Sequence, residues 1–149
     1  MSEEAVAVGA VVGFAVGLVG LWCGLLVLIG RFGGWGRLAE SFPAREITGG
    51  VTFKGRSFSI RPITNYNRIV RVTVAEDGIL LSLPSWFSLA HPPLFLPWSV
   101  VGRTEEKRLM FLTRYLTTIR GAGRTAVLDL PAGARTLIDA RAAAGAQGD

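Results

Sequence analysis

The sequence predicts an α+β protein in which one N-terminal transmembrane helix precedes a mainly antiparallel β domain that ends in a helix. Three observations lead to this expectation. Residues 5–30 contain no charged residue and no His, Asn or Gln. Residues 51–130 repeatedly alternate apolar and polar side chains, with the period of two that is typical of strands. Pro131 then precedes a segment in which Leu137 and Ile138 are expected to point inward, as in a closing helix.

The apolar run over residues 5–30 is long enough to cross a bilayer, because a hydrocarbon core of ~30 Å needs about 20 helical residues. A cleavable signal peptide is the main alternative, and it would carry a basic segment before a shorter apolar core. The N-terminus instead reads Met-Ser-Glu-Glu and has no Lys or Arg. We therefore expect an uncleaved, single-pass transmembrane helix over residues 5–30.

The orientation of this helix follows from the distribution of basic residues. All 16 Lys and Arg residues come after residue 30, and basic flanks favour the cytoplasmic side. We expect an inner-membrane protein with its N-terminus outside and its C-terminal domain in the cytoplasm. A basic domain beside an anionic leaflet is also favourable, at ~1 kcal/mol per basic residue near the surface. Alternatively, the charge is a solvated surface that only satisfies the topology rule.

Five glycines recur within the apolar run, at Gly9, Gly13, Gly17, Gly20 and Gly24. At 100° per residue they lie within an arc of about 80° on one helix face. Small residues at such spacing let two helix backbones approach closely in lipid. This pattern predicts a packing face for a second copy of the chain or for a larger membrane protein. The alternative is the general abundance of glycine in membrane helices.

Residues 31–46 form a juxtamembrane segment with an amphipathic pattern. Trp35, Leu38 and Phe42 recur at helical spacing, and Pro43 would end the helix. Such a helix either lies at the membrane interface, where Trp is common, or packs on the domain that follows. The sequence leaves both alternatives open.

The β domain is predicted over residues 47–144, followed by a flexible tail over 145–149. Val70, Val72 and Val74 alternate before the Asp77-Gly78 turn, and the alternation resumes after it, which predicts a hairpin. We also expect one or two strands around a turn at residues 54–56, a strand over 94–100 and a strand over 124–130. Pro97 indicates that the 94–100 strand lies at a sheet edge. Residues 104–120 fit either a helix or a strand, and their β-branched residues favour a strand.

Two blocks of the sequence carry a resemblance to known proteins. "GWGRLAESFP" (Gly34 to Pro43) and "PPLFLPWS" (Pro92 to Ser99) resemble segments of small bacterial membrane-anchored proteins. The second block, together with "VTVAEDGILLSL" before it, resembles the central strands of bacterial PH-like and GRAM-like domains. The resemblance covers roughly residues 34 to 131 and implies a strongly bent sheet or small barrel with one C-terminal helix. It carries no binding residue over to this chain.

Residues that could perform chemistry are few. His91 is the only histidine, and Cys23, the only cysteine, lies within the expected span. A metal site or a catalytic triad needs companions that these residues lack. The pairs Glu76-Asp77 and Glu105-Glu106 are expected in solvated turns. We therefore expect no catalytic residue, no metal and no cofactor.

Basic residues along the first strands form the remaining candidate site: Lys54, Arg56, Arg61, Arg68 and Arg71. On a PH-like domain such residues are candidates for contact with anionic lipid. Nucleic acid is not expected as a partner, because the domain is tethered to a membrane and its aromatic residues have the spacing of core residues. The sequence thus predicts a membrane-anchored, non-catalytic binding or scaffold module that recruits a protein or an anionic lipid. The alternative is an accessory subunit of a membrane complex, or an enzyme whose site forms only with partner chains.

Overall fold

The computed structural model describes residues 2–47, 49–60, 64–121, 124–130 and 132–147. The helices are α1 (Glu3–Phe32), α2 (Trp35–Ser41) and α3 (Ala132–Gln147). The strands are β1 (Val51–Ile60), β2 (Thr64–Val74), β3 (Gly78–Ser82), β4 (Leu94–Pro97), β5 (Val101–Leu109), β6 (Leu112–Gly121) and β7 (Arg124–Leu130). Two short 3₁₀ helices, Ser85–Ala90 (the 85–90 helix) and Trp98–Val100, flank β4. The described part of the chain is therefore α+β, as the sequence predicts.

Helix α1 is long, apolar and mostly uncovered. Its 30 residues begin at the N-cap Ser2, whose hydroxyl accepts a hydrogen bond from the Ala5 amide at 3.3 Å. Glu3 and Glu4 in the first turn and Arg31 in the last turn complement the helix dipole. Its most apolar stretch of 18 residues has a mean hydropathy of 2.5, and 6% of that stretch is buried. By length and composition this helix can cross a membrane.

The seven described strands form one antiparallel, nearly closed sheet with the order β4-β3-β2-β1-β7-β6-β5. It consists of two meanders, β1 to β4 and β5 to β7, which are joined by the pairing of β1 with β7. In the predicted hairpin, Val72 pairs with Leu81, and both side chains are fully buried. Strand β4 lies at an edge of the sheet and ends at Pro97, which confirms the position expected for this proline.

Three sequence expectations change in detail, and one that the sequence left open is resolved. Glu105 and Glu106, which were expected in a solvated turn, lie within strand β5. Residues 51–60 form one strand, with register shifts around Arg56 and a positive φ at Gly55, where a turn was expected. Strand β4 is shorter than the expected 94–100 strand, because the 3₁₀ helix Trp98–Val100 follows Pro97 directly. Residues 104–120 form parts of β5 and β6, which confirms the strand interpretation.

The core lies between the curved sheet and the helices that cover it. Helix α3 contributes the buried residues Ala134 and Ile138 and packs against β5 and the 3₁₀ helix Trp98–Val100. It begins at Ala132 and continues to Gln147, three residues into the segment expected as a tail. Pro131, expected to open this helix, lies outside the described residues.

The strand connections divide the sheet into two ends. Ile60 pairs with both Thr64 and Ala126, so the last residues of β1 and the first residues of β2 and β7 lie at the same end of the sheet. Gly121, the last residue of β6, pairs with Arg124 and lies there too. The β3–β4 connection, which contains the 85–90 helix, lies there too, because neighbouring strands of a meander alternate in direction. We call this the loop end. The opposite end, with the β2–β3 and β5–β6 turns, is called the hairpin end.

Candidate membrane-proximal interface

The last third of α1 is docked on the loop end through aromatic side chains. The ring of Trp22 lies 6.3 Å from that of Trp86 and 6.1 Å from that of Phe87, measured between centroids. The Trp22–Phe87 pair is edge-to-face, with 80° between the ring planes, an arrangement that aromatic pairs favour. Trp86 and Phe87 both belong to the 85–90 helix. This helix therefore connects the sheet to α1.

A close backbone contact lies further along α1. Gly30 is buried, and a Cβ at this position would collide with the Ala90 carbonyl oxygen and lie 3.1 Å from the Ala90 Cβ. Three residues later, the Gly33 carbonyl accepts a hydrogen bond from the Thr64 hydroxyl at 3.0 Å. Because Thr64 begins β2, this bond attaches the end of α1 to the sheet itself. Side-chain stacking, backbone contact and hydrogen bonding thus hold α1 at the loop end.

Trp35 is the centre of the packing beneath this interface. Gly34, with φ of 93°, allows the chain to turn from α1 into α2, and Trp35 follows it with no exposed surface. Its ring packs edge-on against Phe58 at 5.7 Å and Tyr66 at 5.2 Å. Its indole Nε1 donates a hydrogen bond to the Pro92 carbonyl at 2.8 Å. Of the two alternatives for residues 35–42, the structure shows packing on the domain, because Trp35 and Leu38 are both buried in the core.

His91 forms a buried polar pair with Tyr66 next to Trp35. The His91 Nε2 and the Tyr66 phenol oxygen lie 2.9 Å apart, and His91 has no exposed surface. Burial lowers the pKa of His91, and the adjacent backbone of Phe87 acts in the opposite direction. Burial raises the pKa of the Tyr66 phenol. Both groups are therefore neutral at pH 7.

The chemistry available to this pair is limited. Within the described residues, His91 Nδ1 makes no hydrogen bond. No group of three His, Cys, Asp or Glu side chains in the same residues could hold a metal ion. The aromatic rings of Trp35 and Phe87 surround the imidazole, at 5.8 Å and 5.3 Å between centroids. The pair joins β2 to the segment after the 85–90 helix.

The outer surface of the interface is apolar. Trp86 is 57% exposed and Leu89 is 61% exposed, although both belong to a helix that is packed on α1. Beside them, a cavity of about 420 Å³ opens between α1, β2 and Phe87. Its apolar walls include Leu28, Ile29 and Phe32. Among the described residues, no charged side chain lines it.

The five predicted packing glycines lie on the uncovered part of α1. Gly9, Gly13, Gly17, Gly20 and Gly24 are all exposed. A Cβ added at any of them would meet no atom within 4 Å among the described residues outside the helix's own backbone. Gly30, by contrast, packs on the domain. The glycine face is thus separate from the contact between α1 and the 85–90 helix.

Four of the five predicted basic residues lie on β1 and β2 in the described part of the chain. Lys54 and Arg71 are exposed on β1 and β2, and Arg61 lies outside the described residues. Arg56 and Arg68 line one cavity of about 700 Å³. The structure therefore brings together two of the five.

The walls of this second cavity also include a site that the sequence reasoning missed. Met110 and Phe111, at the β5–β6 turn, line the cavity and are 91% and 98% exposed. Arg114 lines it as well and forms an ion pair with Asp129 at 3.0 Å. The feature of the sequence that could have indicated this exposed apolar turn is the run "LMFL" between Arg108 and Thr113. Trp22, Gly30 and Trp86 were missed as contact residues, because nothing local to them indicates that they meet.

A comparison with protein-family models found no match, and a comparison with curated proteins found none either.

Proposed function

We propose that this chain is a single-pass, membrane-anchored binding module, without catalytic activity, whose C-terminal part is a PH-like domain. Two antiparallel meanders of four and three strands, joined through β1 and β7, support the PH-like assignment. The closing helix α3 packs beside β5, which supports it further. A fold of this type does not by itself specify a ligand. The position of α1 relative to the sheet does bear on how the module acts.

The observation that carries the proposal is that α1 joins the domain at the loop end. Contacts of Trp22, Gly30 and Gly33 hold α1 against the 85–90 helix and the start of β2. A membrane span in α1 therefore holds the loop end against the bilayer. The hairpin end is held away from it. With all Lys and Arg after residue 30, the positive-inside rule favours a cytoplasmic domain.

The surface favoured for a partner is the hairpin end. Phe111 lies ten residues along β6 from Gly121 at the loop end, or ~33 Å at about 3.3 Å per residue. The Phe111 side chain is 98% exposed, so the fold does not use its ring for packing and the ring is available to a partner. Arg56 and Arg68 line the cavity next to it. An apolar tip beside two cations suits a protein segment that carries acidic and apolar side chains, and it suits lipid headgroups less at this distance from the span.

A second candidate function is that of an accessory subunit within a membrane complex. The exposed glycine face of α1, with no atom within 4 Å of the added Cβ positions among the described residues, favours it. In that arrangement a larger membrane protein packs against Gly13 and Gly17, and the domain serves as its cytoplasmic extension.

Orientation is tested with the full chain fused at its C-terminus to a reporter that is active only outside the cytoplasm. We expect the fusion to be membrane-bound and silent. Strong reporter activity would overturn the cytoplasmic placement, and release of the protein by alkaline carbonate would overturn the span.

The partner surface is tested by replacing Phe111 with a photo-crosslinking amino acid in the full chain in cells. We expect a protein adduct that is lost when Arg56→Glu and Arg68→Glu are added. The same amino acid at Glu40, an exposed position on α2, serves as the control and should give no such adduct. An adduct with lipid alone would favour the anionic-lipid function. A protein adduct that forms equally in the Arg56→Glu, Arg68→Glu variant would contradict recognition by the two arginines.

A further inference from the structure

We propose that the 85–90 helix enters the leaflet on the side of the C-terminal domain, as a second membrane contact beside α1. Trp86 and Leu89 would lie in the boundary between the lipid headgroups and the acyl chains. This inference rests on the proposed membrane span of α1. It adds to that proposal a specific depth for the 85–90 helix in the membrane.

The length of α1 is the first observation. At 1.5 Å per residue its 30 residues extend ~45 Å, whereas the hydrocarbon core measures ~30 Å. Trp22 lies about 26 Å along the helix from Ala5, the first residue of the expected span, and therefore close to where a hydrocarbon core of ~30 Å ends. The uncharged run nevertheless continues to Gly30. The stretch of α1 in contact with the 85–90 helix is therefore apolar enough to remain within the leaflet boundary.

The composition of the docked segment is the second observation. Between Asp77 and Arg103 the chain contains no Asp, Glu, Lys or Arg. The Ser88 hydroxyl donates to the Ser85 carbonyl at 2.8 Å, and the Phe87 amide donates to the Pro84 carbonyl at 2.9 Å. Polar groups that are satisfied within the segment lower the cost of contact with lipid. The 85–90 helix meets this requirement, and it carries no charge that would have to be desolvated.

Exposure and continuity with α1 are the third observation. Trp86 and Leu89 are more than half exposed, and they belong to the 85–90 helix, which packs directly on the apolar helix α1. Tryptophan is enriched at membrane–water interfaces, where an apolar ring with one polar group fits. Trp22 and Trp86, in contact with each other, place two such rings at one level. Arg31, which directly follows the uncharged run, then lies at the level of the headgroups. The occupant that fits this surface is lipid.

Site-directed spin labelling of the full chain in vesicles of phosphatidylcholine and phosphatidylglycerol tests the proposal. In a Cys23→Ser background, single labels are attached through Leu18→Cys, Leu89→Cys and Phe111→Cys. Collision with oxygen, which concentrates in lipid, is compared with collision with a water-soluble nickel chelate. We expect the Leu18 and Leu89 labels to favour oxygen and the Phe111 label to favour nickel. Phe111 is the matched control, since it is an exposed apolar residue at the opposite end of the sheet.

The outcomes separate this inference from the proposed function. The inference would be overturned if the Leu89 label were as accessible to nickel as the Phe111 label. If the Leu18 label still lay in lipid in that case, the span would remain intact. A Leu89 label shielded from both reagents would overturn the inference as well, because the side chain would then be packed on protein. A Leu18 label in water would overturn the span, and the inference with it.

A second measurement uses the native tryptophans. Lipids brominated close to the headgroups quench the fluorescence of rings at that depth. We expect Trp86→Phe to remove a larger share of the quenched signal than Trp98→Phe. Trp98 follows β4 at the hairpin end and donates a hydrogen bond to the Glu76 carbonyl at 2.8 Å. Equal losses in the two variants would contradict a lipid contact at Trp86.

Discussion

His91 and Tyr66 form a hydrogen-bonded pair, 2.9 Å between Nε2 and the phenol oxygen, inside a ring of aromatic side chains. The two residues are 25 positions apart in the sequence, and they join β2 to the end of the 85–90 helix. Trp35 contacts both rings, and through Pro92 it attaches α2 to the same loop. The attachment of the sheet to α1 therefore involves a small buried cluster that contains one imidazole ring.

The first prediction concerns pH. Burial lowers the pKa of His91 below its ordinary value of 6.5, so the unfolded chain takes up this proton more readily than the folded chain. The stability contributed by the neutral ring is complete above pH 6.5. It is lost as the pH falls from there to the folded-state pKa. The melting temperature of the full chain in detergent, measured between about pH 8 and pH 5, should therefore decrease as the pH is lowered below 6.5.

His91→Gln provides the control for the pH prediction. It should lower stability at every pH, by about 1–3 kcal/mol for a disturbed buried hydrogen bond, and remove the part of the pH dependence due to the imidazole. An unchanged slope in this variant would show that other groups cause the dependence.

The second prediction compares two tryptophans. Trp35→Ala should destabilise the domain by about 3–5 kcal/mol, because it empties a fully buried site and leaves the Pro92 carbonyl without its donor. Trp86→Ala should cost about 1 kcal/mol in detergent, since its ring is largely exposed and loses mainly aromatic contacts. Chemical unfolding monitored by circular dichroism measures both. Comparable losses would contradict the placement of Trp35 in the core.

The third prediction compares two glycines of the same helix. Gly30→Ala should destabilise the contact between α1 and the 85–90 helix by about 1–3 kcal/mol, because the new methyl group meets the Ala90 carbonyl. Gly24→Ala, with no atom within 4 Å among the described residues, should be neutral or should stabilise α1 by up to about 1 kcal/mol. Thermal unfolding in detergent distinguishes the two. If Gly30→Ala behaved like Gly24→Ala, the backbone contact would not be present.

The fourth prediction concerns the glycine face. Gly13→Ile and Gly17→Ile should weaken self-association of α1, since bulky side chains hold two backbones apart where close packing supplies the attraction. Leu18→Ile, about 140° from the centre of the glycine arc, is a control away from that face. Self-association of residues 1–36 in a membrane two-hybrid assay, or crosslinking through Cys23, is the measurement. A Gly13→Ile signal equal to that of the control, at the level of a monomeric helix, would exclude self-association. The glycine face would then contact a different membrane protein or reflect only the general abundance of glycine in membrane helices.

The local alternation of apolar and polar residues was sufficient to predict the elements in which neighbouring residues share one environment. Alternation on both sides of Asp77-Gly78 predicted the hairpin, and the structure pairs Val72 with Leu81 as expected. The missing amide donor of Pro97 predicted an edge strand, and β4 lies at the edge. The same alternation predicted the structure of β1 less well, because this strand is irregular. Register shifts on both sides of Arg56 interrupt the alternation in β1, and the sequence therefore suggested a turn there.

The sequence by itself determined the long apolar helix, the succession of strands and the closing helix, because charge, hydropathy and periodicity act over a few neighbouring residues. Only the tertiary structure decided whether Trp35 faces lipid or the core. Its hydrogen-bond partner Pro92 is 57 residues away, and no local spacing records such a contact. The same holds for the docking of Trp86 on Trp22 and for the cavity that Arg56 and Arg68 line together with Phe111. These relationships depend on how the sheet curves and where its loops meet α1, and that is settled by packing between distant parts of the chain.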